Sequence, residues 1–402
     1  MDSGAADRLV SCLAARRSPL AVSREPVDWN KVVDVAVGEH VAPLLYKRLK
    51  ENDAPDFVPA DAWQRLRLAY FASGDRNTRL FRELGTVLQR LRDSGIPVII
   101  LKGASLAAAV YGDIALRPMC DVDLLVREAD LGRTREVLLD MGGVHQQFGD
   151  IESSIERKHH LPKVVVRDLA VEIHWTIVSP GGPVRTDSGG LWNRARPSVT
   201  AGVEVLSLSP EDLLLHLSLH LCYEDVCVGL RSLCDVAETI HRFRGEMDWT
   251  QVAERAREWG TTRHVSLALH LAGSMLGAGV PDDILERLVP QGIDQRVLEA
   301  ARETVLTQTG RHQWEPLFRA LDARTLGDKA RLLKERIFLS RDEMAAKYPA
   351  SRDSKHFYLY YALRLRDGLR AYVFHARRRA RLMTQRRRRE RYAALNEWLT
   401  RP

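Results

Sequence analysis

The chain has 402 residues, 45% hydrophobic and 28% charged, which excludes global disorder and allows two domains or one domain with large helical additions. Its net charge is +7, but nine arginines fall between Arg377 and Arg391, and without them the chain is close to neutral. No apolar run approaches the ~18 residues of a membrane span, and the N-terminus lacks the basic start and long apolar core of a secretory signal. The five cysteines include no C-x-x-C pair and suit reduced thiols in a cytoplasm better than a disulfide framework. Cys120 lies beside acidic residues with no histidine arrangement around it and reads as packing.

Residues 1–94 read as helices. Val32, Val35, Ala36, Val41, Leu44, Leu45 and Leu49 recur at helical spacing, with a break or new start forced at Pro43. A longer helix is predicted from about 60 to 93, with Leu80, Leu84, Val87, Leu88 and Leu91 as its buried stripe, stopping at Ser94-Gly95. Residues 95–207 alternate strands and helices. Strands are expected at 97–101, 121–126, 163–167, 170–178 and 203–207, a helix at about 129–141, and a loop at 179–190. That loop lacks the G-x-x-x-x-G-K-[ST] pattern of a P-loop. From Ser209 the chain is helical again, opened by Ser209 as N-cap, Pro210 and two acids in the first turn. Helices are expected at about 210–224, 228–243, 249–258, 262–277, 282–290, 294–307 and 327–339, with a basic one over 355–398. The expected architecture is α+β: a small mixed sheet over 95–208, flanked by N-terminal helices (1–94) and a large C-terminal helical region with a basic tail (209–402).

The chemistry concentrates in 95–126. An apolar strand ends at Leu101, a Lys102-Gly103-Ala104-Ser105 turn follows, and a small-residue helix runs to about Tyr111. Arg117 precedes Asp121-Val122-Asp123 on the next strand. Side chains two apart on a strand share a face, so both carboxylates face the same way. Such a pair is costly unless it stays wet, shares a proton or holds cations. The strand 171–175 adds a third acid: Val171, Ile173 and Trp175 alternate with Glu172 and His174, giving one core-like face and one polar face. If this strand neighbours the aspartate strand, three carboxylates converge, a set suited to divalent cations and in-line phosphoryl chemistry. His216 and His220 share a helical face at a spacing zinc sites also use, but no glutamate intervenes and no third ligand is evident, so packing is the preferred reading.

The order L-K-G at 101–103, a short helix, Y-G-D at 111–113, Arg117, D-V-D-L-L-V at 121–126 and V-E-I-H-W at 171–175 resembles the DNA polymerase beta nucleotidyltransferase superfamily. More narrowly, it resembles a poorly characterised bacterial nucleotidyltransferase family with helical flanks. Residues 40–45, His159-His160-Leu161-Pro162, 216–220 and Leu233-Cys234-Asp235 resemble recurring segments of that family. The resemblance implies that Asp121, Asp123 and Glu172 are catalytic and bind Mg²⁺ or Mn²⁺. It implies that Glu172 is also a candidate base, and that Lys102, Gly103, Ser105, Arg117 and His174 face the nucleotide. The glycine-serine pair usual in the superfamily is here Gly103-Ala104, with Ser105 one place later.

The expected activity is metal-dependent transfer of a nucleoside monophosphate, AMP from ATP in the leading form, to an acceptor in the cytoplasm, releasing pyrophosphate. The acceptor is a hydroxyl or phosphate of a small molecule, peptide or protein. Two other readings remain open: an RNA- or nucleic-acid-binding protein on a nucleotidyltransferase scaffold, motivated by the arginine tail, and a protein AMPylase. The tail also offers a surface for anionic partners.

Overall fold

The computed structural model describes residues 3–15, 27–52, 58–145, 155, 158–180, 184–224, 229–307 and 394–400. The elements taken up below belong to one unit, Met1–Thr309 with Leu395–Pro402. Four helices open the chain: α1 (Ser3–Ala14), α2 (Trp29–Gly38), α3 (Ala42–Glu51) and α4 (Ala60–Asp93). Pro43 sits in the first turn of α3, where its missing N–H costs nothing. The long helix α4 ends on Ser94, and Gly95 follows with a φ of +69°, the left-handed conformation that a helix-terminating glycine supplies.

Seven strands then form one mixed sheet in the order β3-β4-β5-β2-β1-β7-β6. They are β1 (Ile99–Leu101), β2 (Asp121–Leu125), β3 (Val144–His145), β4 (Val164–Val166), β5 (Leu169–His174), β6 (Arg196–Thr200) and β7 (Val203–Ser207). The pairs β1/β7 and β2/β5 are parallel, and the remaining neighbours are antiparallel. The architecture is the expected α+β one, with two strands added. The short β3 and the edge strand β6 escape sequence reading because neither has a buried alternating face; Arg196, Pro197 and Val199 are exposed. Pro197 on an edge strand also blocks pairing with a further chain. The segment expected as loop at 179–190 gives way at Ser188 to a short helix, α7 (Ser188–Arg194), capped by the Asp187 side chain accepting from Gly190 N–H.

Strand alternation sorts the sheet into two faces. Ile100, Val122, Leu124, Val171 and Ile173 pack with Leu84, Val87, Leu88 and Leu91 of α4 and with Leu131 and Leu138 of α6 (Leu131–Asp140). Ile99, Leu101 and Leu125 point the other way and join a second apolar core. That core includes Leu45, Leu49 and Leu66 from the N-terminal helices and Leu214, Leu233 and Val265 from the C-terminal ones. The C-terminal helices are α8 (Pro210–Leu219), α9 (Gly229–Arg242), α10 (Trp249–Glu258) and α11 (Thr262–Leu276), followed by helices Asp282–Leu288 and Gln295–Thr307. Ser209 caps α8 by accepting from Asp212 N–H, as its sequence predicts. The helix expected at 327–339 and most of the basic 355–398 helix lie outside the described residues. The described end of the chain, 394–400, is helical and buries Leu395 and Leu399 in the second core.

Midway along α4 the buried stripe changes character: between Leu66 and Leu84 the buried positions are Ser73 and Asn77. There the segment leading into β2 crosses the helix. The fully buried Asn77 donates from Nδ2 to the carbonyls of Ile114 (2.5 Å) and Arg117 (2.9 Å), satisfying backbone acceptors that no strand pairs. The Arg117 side chain is itself buried and makes a two-pronged ion pair with Asp235 of α9, Nε to Oδ1 at 2.9 Å and Nη2 to Oδ2 at 2.8 Å. Tyr111 donates its hydroxyl to the same Oδ1 at 2.8 Å. Removing one member of a buried ion pair leaves the other charge uncompensated at a cost of about 3–5 kcal/mol. Asp235→Ala is therefore expected to lower stability by that amount in urea unfolding, whereas Arg117→Met combined with Asp235→Leu recovers most of it. A loss below about 1 kcal/mol for the single variant would contradict the role given to this pair.

Candidate active site

The polar face of β2 and β5 is where the candidate residues meet. Val122, Leu124, Val171 and Ile173 commit the other face to the core, so the period of two turns Asp121, Asp123, Glu172 and His174 to the opposite side. The parallel register places Asp123 opposite Glu172 and Leu125 opposite His174. One ligand atom from each of Asp123, Glu172 and His174 lies within 4.8 Å of the others. Among the described residues this is the group with metal-ligand geometry; His216 and His220 belong to none.

The His174 ring, 1% exposed, bridges the two acids. Because ionised carboxylates only accept, Nε2–H donates to Asp123 Oδ1 at 3.0 Å and lies 3.4 Å from Glu172 Oε2. The backbone of His174 forms an isolated bridge to His160, and the rings of His159 and His160 each lie 5.3 Å from the His174 ring. His159 Nδ1 is 2.9 Å from Ser179 Oγ, and His160 Nδ1–H donates to the Leu161 carbonyl at 2.9 Å.

Asp121 is reached differently. Lys163 bonds its Oδ2 and lies 2.9 Å from Glu172 Oε1, so one ammonium joins two of the acids. The register explains its position. Val164 of β4 pairs with Val171 of β5, so Lys163, one residue earlier on an antiparallel strand, comes level with Glu172. Sequence reasoning did not single out Lys163. The available signal was its place directly after His159-His160-Leu161-Pro162 at the head of a strand.

The turn leaving β1 lies on the other side of Asp123, because Leu101 pairs with Asp123 in the β1/β2 register. Lys102 to Ser105 form one helical turn, α5 (Lys102–Ser105), continued by a π-helical turn Leu106–Val110, so the expected turn is itself helical and runs straight into the expected short helix. Lys102 has a φ of +37°, unusual for a residue with a side chain and costing on the order of 1 kcal/mol or more. Gly103 cannot gain a side chain freely: a Cβ there would come 3.0 Å from Met119 Sδ and 3.1 Å from Arg117 Nη1. Arg117, expected to face phosphate, thus spends two nitrogens on Asp235 and sets the third behind the Gly103 turn. Ser105 is buried in the same turn.

The charges support one another. Burial alone would raise the Asp123 carboxyl, but the Lys102 charge and the His174 hydrogen bond outweigh it and hold Asp123 well below the usual carboxylate range. Burial and the neighbouring Asp123 also push Glu172 up, and His174 and His160 bring it below its ordinary 4.5. Burial pushes His174 down, yet its bonds to Asp123 and Glu172 lift it above its ordinary 6.5. Burial also opposes the charge on Lys163, and its contacts with Asp121 and Glu172 more than restore it.

A family described as "uncharacterised nucleotidyltransferase" matches residues 25–277, more than half of the chain. No curated protein matches the sequence. The solution structure of the antibiotic-resistance factor ANT(2'')-Ia is similar over 48% of this chain and 97% of its own, at 14% identity and a TM-score of 0.32.

The linked shifts set a pH window for the protein stripped of divalent cations. His174 is raised, so its contribution is complete below 6.5 and is lost as pH climbs through the folded value. Asp123 and Glu172 are depressed, so theirs are complete above 4.5 and are lost as pH falls through the folded values. The stability difference between wild type and His174→Asn, measured by urea unfolding in EDTA, is expected to be largest between pH 4.5 and 6.5. A difference that stays constant from acid to alkaline pH would contradict the coupling.

Proposed function

The chain belongs to the nucleotidyltransferase family, and we propose that it transfers a nucleoside monophosphate, AMP from ATP, to an acceptor with release of pyrophosphate. The observation that carries this reading is the parallel pairing of β2 and β5. It sets Asp123 and Glu172 side by side on a face whose reverse is apolar core, with Asp121 on the same face. Carboxylates crowded on one face of a largely apolar sheet are costly, and holding cations offsets that cost.

The donor set fits Mg²⁺ or Mn²⁺. Carboxylate oxygens dominate it, and Asp123, Glu172 and His174 already offer atoms within 4.8 Å of one another. Asp121, Asp123 and Glu172 would hold the metal, with His174 keeping the two inner carboxylates oriented. When bound, such ions lower the pKa of an attacking hydroxyl and neutralise the triphosphate. The protein's own part is positioning. Glu172 is the candidate base for the acceptor hydroxyl. Lys102 brings a positive charge next to Asp123, and the Lys102–Ser105 turn, without a side chain at Gly103, is where the triphosphate would approach the backbone. Arg117 serves that turn from behind, clamped by Asp235, rather than as an exposed phosphate ligand.

The acceptor is a hydroxyl or phosphate of a small molecule, a peptide or a protein; transfer to protein would make the chain an AMPylase. The nucleic-acid reading rested on the arginines of 377–391, which lie outside the described residues. Deleting 377–402 would not test it cleanly, because Leu395 and Leu399 pack in the core and would be lost with the charge. Replacing those arginines with glutamine is the cleaner substitution.

The test is release of pyrophosphate from α-labelled ATP with Mg²⁺ or Mn²⁺, with cell extract as the source of acceptor. Label retained on protein and label on small molecules identify the two acceptor classes. Asp123→Asn is expected to reduce transfer by at least about a hundredfold. A wild-type rate in that variant would overturn the assignment.

A further inference from the structure

The three acids of the site are not left to solvent. Lys163 reaches between Asp121 and Glu172 and contacts an oxygen of each. We propose that Lys163 is the resident counter-cation of the site, competing with a divalent metal ion for the carboxylates of Asp121 and Glu172. This inference rests on the metal reading of the preceding section and adds a residue that neither the family match nor the carboxylate pattern assigns.

Three observations carry it. The first is connectivity. Asp123, Glu172 and His174 already form a compact ligand group, whereas Asp121 lies outside it and is tied to it through the ammonium. Lys163 takes one oxygen of each carboxylate, and the other Glu172 oxygen, Oε2, faces His174 Nε2 at 3.4 Å, so a metal ion shared by Asp121 and Glu172 would compete with the ammonium for their charge. The second is exposure. The Lys163 side chain is 32% exposed, close to the 36% of Asp121 and above the 15% of Glu172 and 10% of Asp123, so its ammonium has a way out toward solvent on the Asp121 side. Its flexible four-carbon stem lets the charge leave while the backbone stays in place at the head of β4. The third is charge balance. Carboxylates crowded on adjacent strands repel one another, and a cation among them offsets that repulsion before any metal arrives. The site is therefore pre-assembled but self-occupied, and a metal binds by exchange with an ammonium rather than by filling an empty cage.

Direct Mn²⁺ binding to the full-length, EDTA-stripped protein tests this without nucleotide or activity, by calorimetry or by the electron paramagnetic resonance of free Mn²⁺. Lys163→Met is expected to bind Mn²⁺ about tenfold more tightly than wild type, a change equivalent to ~1.4 kcal/mol. Lys163→Arg keeps the charge and is expected to stay within about twofold of wild type, well under ~1 kcal/mol. Asp123→Asn is expected to lose the binding. Lys163→Gln, a polar replacement without the charge, repeats the measurement should the methionine variant fail to fold. If wild type binds Mn²⁺ at a site lost in Asp123→Asn, and neither neutral variant binds more tightly, the counter-cation role falls while the metal reading stands. If no variant and no wild-type sample binds Mn²⁺, both fall.

Discussion

The site depends on the register of one pair of parallel strands. With Asp123 opposite Glu172, two carboxylates come together on a sheet whose other face is closed by α4 and α6. Shifting that register by one residue would turn Val171 and Ile173 toward the acids and Glu172 into the apolar core, a loss no nearby group could offset. The hydrophobic alternation of β2 and β5 therefore stabilises the fold and aims the acids with the same side chains. Around the acids stand Lys102, Lys163 and His174, each supplying charge or hydrogen bonds that the carboxylates need once partly withdrawn from water.

A second tie holds the far side of the site. Arg117 carries no exposed charge; its guanidinium joins Asp235 of α9, shares that acid with Tyr111 and leaves Nη1 against the Gly103 turn. Asn77 of α4 grips the carbonyls of the same segment. The long N-terminal helix and a C-terminal helix thus both fix the chain between the Lys102–Ser105 turn and the aspartate strand. The helical regions frame the sheet and help to set the position of the residues on its polar face.

Much of this was legible in the sequence, and the exceptions have a common cause. Helix α4 was readable because its stripe and its Ser94-Gly95 stop are local. The Asp121–Asp123 pair and the Glu172–His174 face were readable because strand periodicity is local as well. Strand neighbours are not local. β5 pairs with β2 although β3 and β4 intervene in sequence, and only that topology brings Glu172 to Asp123. Lys163 carries no pattern of its own and acquires meaning from the β4/β5 register. The sequence reading turns Arg117 toward phosphate; its ion pair with Asp235, 118 residues away, follows no spacing rule. The edge strand β6 and helix α7 were missed because neither shows the regular apolar spacing that sequence reading requires.

Everything proposed here turns on whether Asp123 and Glu172, set side by side by β2 and β5, bind the metal that serves a nucleoside triphosphate. Anomalous diffraction from crystals grown with Mn²⁺ and a non-hydrolysable ATP analogue tests it most directly. A manganese peak is expected at inner-sphere distance from carboxylate oxygens of Asp123 and Glu172, with the triphosphate beside the Lys102–Ser105 turn. Manganese and nucleotide bound elsewhere, with Asp123 and Glu172 still held only by His174 and Lys163, would contradict it.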